Sequence, residues 1–277
     1  MRGVSWCWRR RVDAAAKEAW IARLEAAGCT SWIFIEKPGR VRLTLEAWSE
    51  SRAAATVLAR KFGGQVDSIK ASEWLDTKPT PPTRIGRRLE IIHDDQRVRG
   101  KSEMPRLAIP HGVAFGSGEH GTTFMLLRAL AELGDCSRRR VLDLGAGSGV
   151  LALAARVFGA TKIVATDFDP DSVRTARQNE VLNFSRPLIR WQQADVLKLK
   201  PTPRYDLVLA NLFSGILVEA APRIAACVAA GGELWLSGVL ATQQREVVAA
   251  YRKQGMKFLR ANRRGKWVML RLRAPRV

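Results

Sequence analysis

Apolar residues in the first 70 positions of this chain alternate between two spacings. Runs rich in Trp, Val, Ile and Phe at residues 5–11, 31–36, 41–46 and 65–70 predict four strands. A spacing of three to four at residues 14–27 and 51–62 predicts two helices, each followed by glycine, and a turn at residues 37–40 joins the middle strands. This order of elements is that of a ferredoxin-like α+β fold. An unrelated α+β domain is the alternative.

Beyond residue 110, apolar runs and helix-period segments follow one another regularly. We predict strands at residues 141–144, 162–166, 189–192, 205–210 and 233–237, with helices at 124–133, 150–158, 170–183, 214–229 and 242–254. This alternation indicates an α/β fold with a doubly wound, mostly parallel, Rossmann-like sheet. Residues 266–273 supply a terminal antiparallel strand.

The stretch between these regions is interpreted as a linker. Its proline-rich part, residues 78–83, excludes a helix, and one strand is predicted at residues 89–92. The predicted organisation is therefore a small domain at residues 1–70, a linker and lead-in at 71–110, and a large domain at 111–277.

A glycine-rich turn in the large domain carries the clearest chemistry. An apolar run ends at Asp143, glycines follow at Gly145, Gly147 and Gly149, and a second apolar run ends at Asp167. Glycines allow a tight turn and close approach of the backbone to a ligand. An acid at the tip of the second strand can accept hydrogen bonds from both hydroxyls of a ribose. We therefore predict a site for a nucleoside-containing cofactor.

The spacing of the glycines bears on which nucleoside is bound. Sites for dinucleotides use GxGxxG with the pyrophosphate on a helix N-terminus, whereas this chain has GxGxG. The carboxylate of Asp143 would repel a pyrophosphate and suits a cationic ligand end, such as the ammonium group of S-adenosylmethionine. The pattern favours a methyltransferase. A nicotinamide or flavin site and a glycine turn without a ligand are the alternatives.

Two further polar residues follow predicted strands, and ligands of such sheets bind at the carboxyl ends of the strands. Asp195 is placed to contact an adenine amino group, or alternatively caps a helix. Asn211 presents a bare amide to the cleft, or alternatively is a turn residue. The glycine-rich loop at residues 111–123 could close over a ligand and cap the next helix, and its His120 is not assigned a catalytic role.

The charge balance points to an anionic partner. Lys and Arg number 46 against 26 Asp and Glu, a net charge of +20, and residues 247–277 contain basic residues but no acid. Such a surface favours RNA, a ribonucleoprotein or an acidic protein. The excess of Arg over Lys, with abundant Ala, is equally explained by a GC-rich genome.

Other features limit the cellular setting. The chain has no apolar run of membrane-spanning length, and its N-terminus lacks the apolar centre of a secretory signal. Its 4 cysteines are scattered without a CxxC pair or a metal-ligand spacing. We therefore expect a cytoplasmic protein with reduced thiols in its core, no metal and no membrane contact.

Five motifs, in this order and spacing, resemble the PrmA family: GVAFGSGEHGTT, VLDLGAGSGVLALAA, ATDFDPDSVRTARQN, YDLVLANLFSGIL and GGELWLSGVLATQ. Members of that family use S-adenosylmethionine to methylate ribosomal protein L11 of the large subunit. The resemblance is dense over residues 84–255. It implies a protein N-methyltransferase that modifies lysine side chains, the N-terminal α-amine, or both. We expect the protein to be a monomer. The small domain resembles the family's substrate-recognition domain in kind, and we expect its surface to be basic and aromatic, with Trp6, Trp8 and residues 9–11.

The resemblance also implies that Thr123, Gly145, Asp167 and Asn211 contact the cofactor. Together with the analysis of the loops, this gives the predicted cofactor-binding residues Thr123, Gly145, Gly147, Asp167, Asp195 and Asn211. No catalytic residue is assigned, although Asn211 is a candidate for orienting the acceptor amine.

Three positions depart from the family. Gly121 stands for a proline, Ala146 for a cysteine, and Asn211-Leu212-Phe213 for Asn-Ile-Leu. The acceptor is therefore less closely defined than the cofactor. A methyltransferase acting on another protein's lysines or on RNA, with RNA contacted through the basic C-terminal region, is one alternative. A non-catalytic ribosome-binding protein is another.

Overall fold

The computed structural model describes residues 4–29, 31–35, 42–49, 51–70, 81–93, 104–110, 116–200 and 204–276. The predicted turn at residues 37–40, the first half of the proline-rich stretch at 78–83 and the first part of the loop at 111–123 lie outside these residues. The chain divides into two compact units, Met1–Pro79 and Thr80–Val277. The second unit thus begins within the segment that the sequence analysis assigned to the linker.

The first unit is an antiparallel sheet with two helices. Its elements are β1 (Val4–Asp13), α1 (Lys17–Glu25), β2 (Trp32–Ile35), β3 (Arg42–Ser49), α2 (Arg52–Phe62) and β4 (Gln65–Lys70). The strands lie in the order β2-β3-β1-β4, and every neighbouring pair is antiparallel. This order confirms the predicted ferredoxin-like fold.

The core of the first unit is aromatic. Trp8 is completely buried, and its indole Nε1 donates to the carbonyl oxygen of Gly63 at 2.7 Å. Its ring lies 6.3 Å from that of Trp20, and the ring of Phe62 lies 5.6 Å from Trp20. The expectation that Trp8 lies on the surface is therefore wrong, because the alternation of β1 places it on the same face as the buried Val12.

The second unit is built around a sheet of 7 strands. The strands of the second unit, seven in this sheet and three in a separate one, are β5 (Thr83–Ile85), β6 (Leu89–Ile92), β7 (Arg106–Ala108), β8 (Arg140–Leu144), β9 (Lys162–Asp167), β10 (Ile189–Gln193), β11 (Tyr205–Asn211), β12 (Val228–Leu240), β13 (Lys257–Arg264) and β14 (Trp267–Arg273). Its helices are α3 (Gly121–Leu133), α4 (Val150–Val157), α5 (Pro170–Asn183), α6 (Ser214–Glu219), α7 (Ala221–Ala226) and α8 (Gln244–Arg252). No helix in the described parts of the chain is both long and apolar enough to cross a membrane.

The main sheet has the order β10-β9-β8-β11-β12-β14-β13. The first five strands in this order are parallel, whereas β14 and β13 pair antiparallel. This confirms the predicted doubly wound, mostly parallel sheet. Because the chain order reverses between β8 and β11, the carboxyl ends of these strands border a crevice, which is where such sheets bind ligands.

Apolar layers cover both faces of the main sheet. One layer packs α3 and α4 against residues such as Val141 and Leu209, and the other packs α6, α7 and α8 against residues such as Leu142 and Val208. A separate sheet of 3 strands, β5-β6-β7, adds to the first layer. Asn183 of α5 anchors it, since its amide accepts from Ala108 N at 2.7 Å and donates to Ala108 O at 2.8 Å.

Several elements differ from the sequence prediction. Strands β5 and β7 lie in the segment interpreted as a linker and were not predicted, and β12 begins at Val228 rather than at residue 233. The predicted helix at residues 214–229 is divided into α6 and α7, because Pro222 lies at the start of α7, where it cannot donate to the preceding turn. Strand β13 was not predicted at all. Five of its 8 residues are polar or charged, and most of the strand is exposed, so no apolar alternation identifies it.

Candidate functional site

A cavity of about 710 Å³ lies at the carboxyl ends of the parallel strands of the second unit. Loops after β8, β9, β10 and β11 contribute to it, together with Gly238 of β12 and the starts of α3 and β14. Its lining is formed by residues His120, Thr122, Gly145, Gly147, Thr166, Asp167, Phe168, Ser172, Ala194, Asp195, Val196, Leu197, Asn211, Leu212, Phe213, Ile216, Gly238 and Trp267. Five of the six predicted cofactor residues are among them, and Thr123 is not.

The turn after β8 requires its glycines. Gly145, Gly147 and Gly149 have positive φ angles of 72°, 54° and 82°, which L side chains rarely adopt. The backbone N–H of Gly145 donates to Thr166 O at 2.9 Å, so the turn lies against β9. A Cβ at Gly145 would collide with the side chain of Leu212. The turn therefore exposes bare backbone to the cavity.

Asp167, at the end of β9, is one of the two carboxylates that line the cavity. Its Oδ2 accepts a hydrogen bond from Gly147 N at 2.8 Å, and its Oδ1 accepts from Asp169 N at 3.0 Å. A carboxylate has about four acceptor sites, so these bonds fix its orientation and leave capacity for two further donors. It can therefore receive two hydroxyl groups from a ligand.

Asp195 caps a helix, which the sequence analysis gave as the alternative to ligand binding, and it also lines the cavity. Its Oδ1 accepts from Leu197 N at 2.9 Å, which caps the short 3₁₀ helix Val196–Lys198. Val196, Leu197 and Phe168 form an apolar wall beside it. The combination of one carboxylate and an apolar wall suits a flat, weakly polar group with an amino donor.

Asn211 ends β11 and its amide is held in place. Its Nδ2 donates to Thr123 Oγ1 at 3.1 Å. Thr123 is 1% exposed and lies behind Asn211, so it orients this amide without lining the cavity. The Oδ1 of Asn211 is the atom of this amide that can accept a hydrogen bond from a ligand, and Nδ2 retains a second N–H.

The start of α3 differs from the expected cap. The helix begins at Gly121, with His120 as its N-cap residue, so Thr122 and Thr123 lie inside the first turn. The Nδ1 of His120 lies 2.8 Å from Thr122 Oγ1, and Ser237 Oγ donates to Thr122 O at 3.0 Å. These contacts fix the loop end to β12.

Three aromatic side chains of the cavity, Trp267, Phe168 and Phe213, were not predicted to line it, and His120 was considered without being assigned a role. The rings of His120 and Trp267 are 5.3 Å apart at 67°, and Trp267 reaches the cavity because β14 returns along β12. Phe168 and Phe213 are 71% and 75% exposed. Each follows a predicted ligand residue by one or two positions, and this adjacency was the signal that could have found them.

Asp143 does not face the cavity, and the role inferred for it is wrong. Its side chain is completely buried, its Oδ2 accepts from Ala152 N at 3.2 Å, and its Oδ1 has no partner among the described residues. Burial raises the pKa of its carboxyl to about 7, and the nearby charge of Asp167 adds to the rise. Asp143 therefore contacts the first turn of α4, beneath the glycine turn, and does not contact a ligand in the cavity.

None of the four cysteines lines the cavity. Cys7, Cys136 and Cys227 are buried and Cys29 is partly exposed, with all four thiols free. In the parts of the chain that the structure describes, no group of His, Cys, Asp and Glu is arranged to hold a metal ion.

Comparisons with known proteins agree with this geometry. Residues 42–275 match the family described as ribosomal protein L11 methyltransferase (PrmA). A ribosomal protein L11 methyltransferase from Geobacter sulfurreducens is 39% identical, over 76% of this chain and 72% of the relative. One from Pelobacter propionicus is 35% identical, over 76% and 70%. The crystal structure of a ribosomal protein L11 methylase from Lactobacillus delbrueckii subsp. bulgaricus superimposes with a TM-score of 0.63 at 26% identity, covering 70% of this chain and 98% of that one.

Proposed function

The chain belongs to the ribosomal protein L11 methyltransferase (PrmA) family, and from this we propose that it transfers methyl groups from S-adenosylmethionine to amino groups of ribosomal protein L11. The observation that carries the proposal is a single cavity that contains both the Asp167 carboxylate and the amide of Asn211. The first can hold a nucleoside and the second can hold an amine. Lysine side chains and the N-terminal α-amine are the proposed acceptors.

The residues of the cavity fit the cofactor. Its volume lies within the range of about 300–1,000 Å³ that small-ligand sites occupy. Asp167 offers acceptor positions for the two ribose hydroxyls, Asp195 and the wall of Val196 and Leu197 suit an adenine, and the turn at Gly145 allows close approach. When bound, S-adenosylmethionine supplies an activated methyl group on a sulfonium.

The contribution of the protein to methyl transfer is positioning. An in-line displacement needs the acceptor nitrogen held close to the methyl carbon, and correct orientation alone is worth several kcal/mol, up to about 7–11. The Oδ1 of Asn211 can accept an N–H from a neutral amine and so direct its lone pair, while Thr123 keeps the amide from rotating. No acid, base or metal is required, because the leaving group is neutral.

The acceptor must lose its proton before it reacts. Reference pKa values are about 7.7–8.0 for an α-amine and about 10.4 for lysine. The apolar lining of the cavity, which includes Trp267, Phe213 and Ile216, disfavours the charged ammonium form by desolvation. We therefore expect the rate of methyl transfer to rise with pH between about 6 and 9. A rate that does not change over this range would contradict an amine acceptor.

The experiment compares acceptors and variants. Methyl-labelled S-adenosylmethionine is supplied with purified L11 or with ribosomal RNA, and the label is located by mass spectrometry. We expect label on L11 amines, and Asn211→Ala should lower kcat much more than it weakens cofactor binding. Asn262→Ala, an exposed asparagine of β13, is the matched control. Label only in RNA, or cofactor binding with no methylated product, would replace this proposal by one of the alternatives.

The first unit is proposed to select the substrate. The predicted cofactor residues all lie in the second unit, Thr80–Val277. A chain that begins at Thr80 should bind S-adenosylmethionine as tightly as the whole protein and lose methylation of L11. If this shorter chain methylates L11 at the full rate, the first unit has another role.

A further inference from the structure

A second large cavity lies in the second unit, away from the cleft. It is a groove of about 700 Å³ between α8 and β13, lined by Gln244, Arg245, Val248, Ala249, Arg252, Lys253 and Phe258. It shares no lining residue with the cleft that holds Asp167. Neither the family nor the proposed methyl transfer gives it a role.

The lining of this groove contains three cations and no acid. Arg245 and Lys253 are exposed at its rim, and Glu246, the acid of α8, is not part of the lining. Within the described parts of the chain, no ion pair involves any of the three cations. Other exposed arginines have acidic partners, for example Arg174 with Asp171 at 3.0 Å. The positive charge of the groove is therefore not compensated locally.

The cations are arranged in a row over an apolar floor. Arg245 and Arg252 are two helical turns apart on one face of α8, about 10.5 Å along its axis. Val248 and Ala249 lie between them, and the half-buried ring of Phe258 closes the floor, with the Arg252 guanidinium 6.0 Å from its centroid. A line of cations along a groove is the arrangement that follows a nucleic-acid backbone. The Phe258 ring, which packs on the core and carries the Arg252 guanidinium, forms the floor of the groove.

We propose that the groove between α8 and β13 binds the sugar-phosphate backbone of single-stranded RNA. Charge complementarity selects a polyanion. Cations repeated along one face of α8 match the regularly repeated phosphates of an RNA strand better than the irregularly placed carboxylates of an acidic protein. The inference is independent of the methyl acceptor, since the groove and the cleft have no residue in common.

The test measures binding of the full chain to a labelled single-stranded RNA of mixed sequence, about 16 nucleotides long. One variant replaces the groove cations by glutamine: Arg245→Gln, Arg252→Gln and Lys253→Gln. The control makes the same change of charge at exposed cations on the opposite edge of the sheet: Lys162→Gln, Arg174→Gln and Arg190→Gln. Equal melting temperatures verify that both variants are folded, and single replacements are used if the triple variant melts early.

The expected result is a loss confined to the groove variant. Each single-strand phosphate contact contributes about 0.7 to the slope of log affinity against log salt concentration, so the slope should fall by about 2 and the affinity at 0.1 M salt by about 100-fold. The control should bind like the wild type, and methylation of free L11 should be unchanged in both variants. Equal losses of RNA affinity in the two variants would show that binding depends on net charge alone, and this would overturn the proposal. So would absence of RNA binding by the wild type, or binding of polyglutamate in preference to RNA.

Discussion

Replacing Asp143 by asparagine removes a titratable carboxyl group from the buried interior of the second unit. The carboxyl is completely buried, one oxygen accepts from Ala152 N, and the other has no partner among the described residues. Burial raises its pKa from 3.8 to about 7. Asparagine keeps the shape and can keep the bond from Ala152 N, but it has no charge to desolvate. The comparison therefore isolates the effect of the pKa on stability.

The sign follows from where the proton is bound. In the unfolded chain an aspartate loses its proton near pH 4, whereas folded Asp143 keeps it until about pH 7. The folded state binds more protons in this interval, so this group's contribution to the free energy of unfolding falls as the pH rises through it. The interval from pH 5 to pH 7 spans about 2 pH units. Over each unit the free energy of unfolding changes by about 1.36 kcal/mol for one proton that is bound only in the folded state. The stability of Asp143→Asn relative to the wild type should therefore increase by about 2–3 kcal/mol from pH 5 to pH 8.

The assay is urea unfolding of the full chain at these two pH values, with hydrogen exchange of peptides that cover β8 to report on the second unit. Asp206→Asn is the control with the opposite shift. The Arg140 guanidinium holds the pKa of Asp206 below its ordinary value, so its contribution is present at both pH values and is lost only in acid. Its stability difference should be the same at pH 5 and pH 8. If the difference for Asp143→Asn is also constant, the burial argument for Asp143 is refuted.

Three further outcomes can be measured on the cleft. Asp167→Ala should weaken S-adenosylmethionine binding by more than about 100-fold in calorimetry, because it removes two hydrogen bonds worth about 1.5–3 kcal/mol each, while Asp171→Ala binds normally. Gly145→Ala should lower both the melting temperature and cofactor affinity, since its φ is 72° and its Cβ meets Leu212; wild-type values of both would contradict the tight turn. Gly121→Pro should raise the free energy of unfolding in urea by about 0.4–1 kcal/mol, because the first helical position needs no N–H partner, and a loss of stability would show that the ring does not fit.

Most helices and the parallel strands of the second unit could be predicted because their signals are local. The strands β8, β9 and β11 are short apolar runs, and the helices between them repeat every three to four residues, so periodicity alone separates them. The turn at Gly145 and the acid of Asp167 are also local, since a left-handed backbone and a strand end are encoded within a few residues. Together they defined the parallel sheet and one side of the cleft.

The tertiary structure decided what lies between distant segments. Trp267 reaches the cleft only because β14 pairs with β12, and β13 is a strand only because β14 offers it an edge, although its own residues are polar. Asp143 was placed in the cleft from its neighbours in sequence, yet α4 covers it and Ala152 binds it. Which side chains are buried, which meet and which carboxyl keeps its proton depend on packing between elements far apart in the chain. No local pattern contains that information, because the energy of those contacts exists only once the sheet has formed.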